Sequence, residues 1–375
     1  MKALPYGISD FSRLIREDYY YVDKTRFIEM LERQPPYLFL IRPRRFGKSL
    51  FLAMLETYYS IDYADRFEGL FGELYIGQHP TKRHNSYMVL RFNFSAISSK
   101  LEDVERSFSE YCCMVMKNFI LKYEHLMGSD VWKVVNPDET NPRQMLSALK
   151  EYVSRTDCPR IYLLIDEYDN FTNTILSSYG QERYREKTHG EGFIRGFFNN
   201  IKDSTSNADA AVERLFITGV SPITMDDVTS GFNIGTNISM LPEFNSVIGF
   251  SMEEMREMVS YYKSESALPA DMTVDGLIET MKPWYDNYCF SSWNLDEKVF
   301  NSDMALYFLN SYLLRKRAPE MMIDSNIRTD YNKLRHLVQI DKRFGANASV
   351  IQQIIAEGSI TAQIATSFPA EKMTD

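Results

Sequence analysis

The sequence predicts an α/β protein in which helices cover both faces of a parallel sheet, followed by a mainly helical C-terminal region. Four apolar runs predict the strands, and each is so continuously apolar that we expect burial on both faces. The four runs are residues 37–41, 87–92, 161–165 and 214–218. Helical patterns between them complete the alternation of strand and helix that is typical of layered α/β domains with right-handed crossovers.

The helices between the strands are predicted from the spacing of apolar residues. After Lys48, apolar residues fall at positions 50, 51, 54, 55, 58 and 59, which places them in one stripe along a helix. Residues 101–127, 143–154 and 191–202 also show helical patterns. We therefore expect at least one helix in each connection between consecutive strands.

Past the fourth strand the pattern changes. The segment SMEE, which begins at Ser251, resembles a helix capping box, and helical periodicity without a convincing strand continues to Tyr312. We therefore predict two domains, residues 1–249 with the sheet and residues 250–375 as a mainly helical lid. Residues 360–364 alternate like a strand, and the chain then stops without a recognisable end of a domain. We expect a further domain in a longer parent protein.

Composition restricts the class of protein. With 44 % hydrophobic and 25 % charged residues, the chain resembles an ordinary globular protein. No uncharged apolar run approaches the roughly 18 residues that span a bilayer, and the N-terminus lacks a secretory signal. Four cysteines are too few for a disulfide framework. We therefore expect a cytoplasmic protein that does not enter a membrane.

The charge balance leaves nucleic-acid binding open. The formal net charge of −9 argues against binding of nucleic acid over the whole surface. Residues 1–50 nevertheless contain 10 Lys and Arg against 6 Asp and Glu, and residues 311–343 contain 8 against 4. These two basic regions could contact nucleic acid or the acidic remainder of the chain.

The first chemical signal is a loop after the first strand. Residues 42–49 are RPRRFGKS and lie between a predicted strand and a predicted helix, the context in which a Gly-Lys-Ser loop binds nucleotide phosphates. Lys48 would reach the β- and γ-phosphates of ATP, Ser49 would bind Mg²⁺, and backbone N–H groups would surround the phosphates. The candidate nucleotide-binding residues are Arg44, Arg45, Phe46, Gly47, Lys48, Ser49 and Leu50.

This loop departs from the usual P-loop pattern at its first position. The pattern G-x-x-x-x-G-K-[ST] has glycine where this chain has Arg42. One alternative is a basic turn before an ordinary helix. Arg42, Arg44 and Arg45 could add contacts to phosphate or could simply be solvated.

The second signal is an acidic pair at the end of the third strand, which is the Walker B pattern. Ligands of open α/β sheets bind beyond the carboxyl ends of the strands, so Asp166 and Glu167 are expected near the loop. Asp166 would hold Mg²⁺, and Glu167 would act as general base on the attacking water, which favours hydrolysis over kinase chemistry. A solvated acidic turn is the alternative. Asp169 fits a turn or capping role at least as well as catalysis.

The third signal is the end of the fourth strand, FITGVS over residues 216–221. In ATPases with an additional strand beside Walker B, that strand carries a polar residue that senses the γ-phosphate or orients the water. Thr218 is the candidate catalytic residue and Ser221 a second candidate. A strand that ends in a turn at Gly219 is the alternative.

These segments resemble the predicted AAA-ATPase-like family of bacterial and archaeal P-loop proteins, from about Tyr6 to about Phe308. RPRRFGKS is the family's own form of the loop, so Arg42 is not by itself a sign of lost binding. The family usually has Tyr-Asp-Gly-Tyr where this chain has Asn287, and both Gly and Asn tolerate positive φ. The matching segments are YVDKT from Tyr21, RPRRFGKS from Arg42, LIDEYD from Leu164, FITGVS from Phe216, GFSMEE from Gly249 and WYDNY from Trp284.

The resemblance implies a P-loop ATPase of the additional-strand, AAA-like class that uses ATP and Mg²⁺ to drive a conformational switch. Family members often carry a C-terminal PD-(D/E)XK nuclease-like domain, which the ATPase would control and whose motif is not found here. Arg44, Arg45 and Arg195 are candidates for a transition-state arginine. The alternative function is a nucleotide-regulated binding or scaffold module with negligible turnover.

Overall fold

A five-stranded sheet, parallel throughout, organises the first part of the chain. The computed structural model describes residues 1–98, 100–175, 192–203, 210–221, 235–324 and 356–357. The strands are β1 (Tyr37–Ile41), β2 (Met88–Asn93), β3 (Ile161–Asp166), β4 (Val212–Gly219) and β5 (Thr236–Asn237). The four predicted strands are confirmed. Strand β5 was not predicted, because two residues are too few to form a pattern.

The strand order is β2-β3-β4-β1-β5, so β4 lies between the strand before the loop and the strand with the acidic end. Leu40 of β1 pairs with Thr218 of β4, and Ile165 of β3 pairs with Ile217 of β4. Because all three strands are parallel, their carboxyl ends meet at one edge of the sheet. This order is that of the additional-strand class.

Alternate residues of the strands face two hydrophobic cores. Leu38 and Leu40 belong to the first core and Phe39 to the second. Helices Phe11–Arg16, Phe27–Glu32, Lys48–Tyr59, Phe67–Phe71 and Tyr75–Gln78 pack into the first core. Helices Val104–Met127, Val131–Val134, Pro142–Arg155, a helix described over 170–175, and Phe193–Asp203 pack into the second. The 3₁₀ helices are Ile61–Arg66, Phe94–Ala96 and Pro242–Phe244. The sheet is therefore covered on both faces, as predicted.

Over residues 250–324, the C-terminal region contains three helices and a small antiparallel sheet. The helices are Met252–Ser264, Val274–Tyr285 and Ser302–Arg315, and the strands are β6 (Phe250–Ser251), β7 (Asp286–Tyr288) and β8 (Val299–Phe300) in the order β6-β8-β7. The expectation that no strand occurs up to Tyr312 is wrong. Strands of two or three residues carry too few positions for alternation to be visible.

The capping box at the start of Met252–Ser264 is confirmed. Oγ of Ser251 accepts from the Glu254 N–H at 3.2 Å, and the Glu254 carboxylate accepts from the Ser251 N–H at 2.7 Å. The same carboxylate lies 2.6 Å from Nζ of Lys24, a buried residue of the N-terminal segment. This ion pair joins the first residues of the chain to the C-terminal region. The predicted boundary at residue 249 stays a prediction.

The basic N-terminal residues find several partners within the chain. Besides the pair between Lys24 and Glu254, Lys2 lies 3.1 Å from Asp18. Most of the second basic region, and residues 360–364, fall outside the described residues. Within the described ranges, no helix combines the length and apolar character needed to cross a bilayer. All four cysteines are free thiols.

Candidate functional site

The loop of residues 42–49, here called the phosphate loop after its sequence pattern, turns sharply at the start of the helix that begins at Lys48. Gly47, the N-cap, has φ of 90° and Arg45 has φ of 71°, both in the left-handed region. Glycine adopts this region without strain, which explains its presence at position 47. For Arg45 the conformation is unfavourable, and such strain persists only where surrounding contacts hold the backbone.

Phe46 fixes the loop in place through its ring and its carbonyl oxygen. Its buried ring meets Tyr288 and Phe290 edge to face at centroid distances of 4.7 and 5.4 Å, and its carbonyl oxygen accepts from the Gly249 N–H at 3.1 Å. The Leu50 side chain also packs on the first core. Both residues were predicted to bind nucleotide. Their side chains pack on the first core, and both residues also line the cleft described below.

The side chain of Arg42, the first residue of the loop, is buried. It is 1 % exposed, and its guanidinium donates to the carbonyl oxygens of Ile41, Ser239 and Phe244 at 3.0, 2.6 and 2.8 Å. The guanidinium carbon also lies 3.9 Å from the centroid of Phe290. The residue that replaces the usual glycine is therefore a buried link, neither solvated nor placed to contact phosphate.

Lys48 is buried at the base of the loop. Its Nζ donates to the carbonyl oxygens of Arg42 and Pro43 at 3.0 and 2.9 Å. Burial lowers the pKa of Lys48 to about 8, although the carboxylates of Asp166 and Glu167 oppose this shift. A phosphate group would supply the opposite charge that this ammonium otherwise obtains only in part.

Asp166 accepts hydrogen bonds from the first turn of helix Lys48–Tyr59 and from the end of strand β4. Oγ of Ser49 donates to its Oδ2 at 2.7 Å, and Oγ1 of Thr218 donates to its Oδ1 at 2.7 Å. Asp166 and Thr218 are fully buried. The structure thus brings together the predicted metal ligands and the predicted catalytic threonine, and Thr218 contacts the carboxylate directly.

Arg91 is a residue of this site that the sequence analysis missed. Its guanidinium lies 3.0 Å from the Glu56 carboxylate, 3.9 Å from Oδ2 of Asp166, and donates to the Ser49 carbonyl oxygen at 3.3 Å. A charged residue within the apolar strand β2 was the available signal. Its place beside the Ser49–Asp166 pair became evident only once β2 and β3 were paired.

Glu167 lines a cleft of about 640 Å³ above the loop. It follows β3 with φ of 52°, and burial, reinforced by the Asp166 charge, raises its pKa. Asn170 and Asp303 line the same cleft, together with residues 44–51. A carboxylate with a raised pKa beside a phosphate loop suits a general base, because it holds a proton better than an ordinary carboxylate.

Asp169 and Ser221 support the edge of the site. The buried carboxylate of Asp169 accepts from the N–H groups of Val220 and Ser221 at 3.1 and 2.6 Å, and from Nδ2 of Asn173 at 2.7 Å. The Ser221 carbonyl oxygen accepts from the Tyr168 hydroxyl at 2.8 Å. The turn role considered for Asp169 is the one that these contacts describe.

The predicted arginines differ in their position. Arg44 and Arg45 are exposed and line the cleft. Arg195 lies on helix Phe193–Asp203, whose apolar residues belong to the second core, and is absent from the lining of the cleft. Among the described residues, no group of three His, Cys, Asp or Glu is placed to hold a metal ion.

Comparison with known proteins shows what this chain is similar to. The model of a family described as predicted AAA-ATPase matches residues 5–229, more than half of the chain. A protein of Azotobacter chroococcum, described as an uncharacterised protein in the vnfD 5′ region, is 29 % identical over 332 residues, covering 86 % of this chain and 56 % of that protein. This chain thus spans little more than half of that relative. A Walker-type ATPase of Pyrococcus abyssi is similar in structure with a TM-score of 0.44 and 12 % identity, over 90 % of this chain and 77 % of its own.

Proposed function

The chain belongs to the family of predicted AAA-ATPases, and from this premise we propose that it binds ATP with Mg²⁺ and hydrolyses it. The observation that carries the proposal is the hydrogen-bonded row Ser49–Asp166–Thr218. This row joins the phosphate loop, the acidic strand end and the additional strand at the edge of the sheet where such ligands bind.

The loop would bind the phosphates through its backbone. The amides from Arg44 to Leu50 lead into the N-terminus of helix Lys48–Tyr59, where N–H groups and the helix dipole favour negative charge. The Lys48 ammonium would leave the two carbonyl oxygens that it now contacts and bind the β- and γ-phosphates. Exposed Arg44 and Arg45 would add charge at the rim.

The donor set around Asp166 fits Mg²⁺. The Ser49 hydroxyl and the Asp166 carboxylate offer adjacent oxygen atoms, 2.7 Å apart, and magnesium prefers oxygen ligands completed by water and phosphate. When bound, the ion neutralises charge on the phosphates. Thr218 would hold the second carboxylate oxygen and so fix the orientation of Asp166.

Glu167 would act as the general base. It would take a proton from a water molecule as the water oxygen bonds to the γ-phosphorus. The bond from that phosphorus to the β–γ bridging oxygen would break, releasing ADP and phosphate. Its raised pKa suits this transfer.

Residues distant from the loop in sequence also line the cleft, which supports a conformational switch driven by the nucleotide. Tyr20, Tyr21 and Val22 line it from the N-terminal segment, and Phe250 and Leu306 line it from the C-terminal region. We propose that residues 250–375 act as the lid that closes over the nucleotide and converts its state into motion.

Measurement of phosphate release with Mg²⁺-ATP tests this function. Lys48→Ala should abolish phosphate release, whereas Glu167→Gln should keep ATP binding and lose turnover. Glu279→Gln removes an exposed carboxylate paired with Lys282 and serves as the matched control. Equal turnover in Glu167→Gln and the wild type would refute the role of Glu167. Tight ATP binding without any phosphate release in the wild type would favour the alternative, a nucleotide-regulated binding module.

A further inference from the structure

The C-terminal region contributes a carboxylate to the phosphate loop. Asp303 is the second residue of helix Ser302–Arg315, and its Oδ2 lies 3.5 Å from Nη1 of Arg45. The Asp303 side chain is 15 % exposed and that of Arg45 is 43 % exposed. Both residues line the cleft that also contains Lys48 and Glu167. The ion pair therefore lies within the region that the nucleotide phosphates would enter.

Backbone contacts fix the position of Asp303 relative to the loop. The Asp303 N–H and the Ser302 hydroxyl both donate to the Arg45 carbonyl oxygen, at 3.1 and 3.3 Å. Nδ2 of Asn301 donates to the Arg44 carbonyl oxygen at 3.3 Å, while Oδ1 of Asn301 caps the helix. These contacts hold the start of the helix against the loop, so the carboxylate stays near Arg45.

The Asp303 carboxylate and the Arg45 guanidinium differ in how readily each could interact with another charged group. Oδ2 of Asp303 is buried and accepts no hydrogen bond, so the Arg45 guanidinium is the charge that compensates it. The more exposed guanidinium could turn towards another anion in the cleft. A di- or triphosphate carries more negative charge than one carboxylate, and arginine binds phosphate oxygens in bidentate geometry.

We propose that Asp303 is a positioning residue of the nucleotide site, which holds Arg45 in the free protein and yields it to the phosphates of a bound nucleotide. The inference rests on the proposed nucleotide binding and deepens it. The carboxylate competes with the nucleotide for one guanidinium. Nucleotide binding thereby breaks a contact between the loop and helix Ser302–Arg315. Loss of this contact would link the lid directly to the presence of nucleotide in the cleft.

Removal of the carboxylate charge tests the competition. Asp303→Asn should bind ADP about two- to fivefold more tightly than the wild type, as expected when a half-exposed ion pair no longer has to be broken. Calorimetric titration with ADP measures the affinity, and thermal denaturation checks folding. Asp303→Ser, which keeps a polar group in the first turn, should change affinity in the same direction. Asp275→Asn removes an exposed partner of Arg256 and should leave ADP affinity unchanged.

A double variant shows whether the effect passes through Arg45. Arg45→Gln should weaken ADP binding, and Asp303→Asn should have no further effect in that background. Unchanged or weaker binding in both folded Asp303 variants would overturn the inference alone, as would equal tightening with and without Arg45. Failure of the folded wild-type chain to bind ADP would overturn the proposed function as well.

Discussion

Replacing Arg42 with glycine would restore the usual P-loop pattern at the position where this chain departs from it. Judged by the motif alone, Arg42→Gly should be neutral or should improve nucleotide binding. The structure predicts a large loss of stability instead, because the guanidinium is buried, donates to three carbonyl oxygens and lies against Phe290.

The magnitude follows from these contacts. Three lost hydrogen bonds, each worth about 1 kcal/mol, leave buried carbonyl oxygens without that donor. The lost stacking on Phe290 adds about 1 kcal/mol. Burial also lowers the pKa of Arg42 to about 9, so the folded protein is relieved of a desolvation cost when the charge is removed. These losses amount to about 4 kcal/mol, and the relief of the desolvation cost offsets part of them, so the free energy of unfolding should fall by roughly 3 kcal/mol.

Urea denaturation of the protein without nucleotide measures this loss. Arg44→Gly is the matched control, since Arg44 is the exposed arginine two positions away, and it should change the free energy of unfolding by less than about 0.5 kcal/mol. If Arg42→Gly were as stable as the wild type, the structural role assigned to Arg42 would be refuted.

Two further predictions concern the site itself. Thr218→Val should lower the rate of phosphate release about tenfold, because Asp166 loses a hydrogen-bond donor. Thr57→Val is the control, since it removes a buried hydroxyl of the same kind from helix Lys48–Tyr59. It should leave the rate per folded molecule unchanged. The affinity for ADP should fall as the pH rises through about 8, because burial lowers the pKa of Lys48 to about 8 and binding requires its ammonium form. Calorimetric titration from pH 6.5 to 9.5 measures this, on the order of one titrating proton. If the affinity of Lys48→Arg no longer decreased with pH, Lys48 would be supported as the titrating group. The same decrease in that variant would contradict this.

Local sequence patterns were enough to identify four of the five strands of the main sheet and to suggest the chemistry at their ends. Strands β1, β2, β3 and β4 are mainly apolar because both faces of the sheet are covered, and such runs are visible without any knowledge of their partners. The Gly-Lys-Ser loop and the Asp-Glu strand end can both be recognised from a few consecutive residues. Strand β5 and the small C-terminal sheet were missed, since strands of two or three residues rely on pairing rather than on pattern.

Tertiary structure decided how these pieces meet. The insertion of β4 between β1 and β3 places Thr218 on Asp166, and the pairing of β2 with β3 brings Arg91 to the same carboxylate. The burial of Arg42 and the arrival of Asp303 at the loop also depend on contacts between segments far apart in the chain. The amino-acid sequence by itself determined which groups could do chemistry, because residue type and local periodicity are properties of short segments. The packing of distant segments alone decided which of these groups contact the same carboxylate or form an ion pair. Hydrogen bonds and ion pairs act over a few ångströms in space, however far apart the two residues are along the chain.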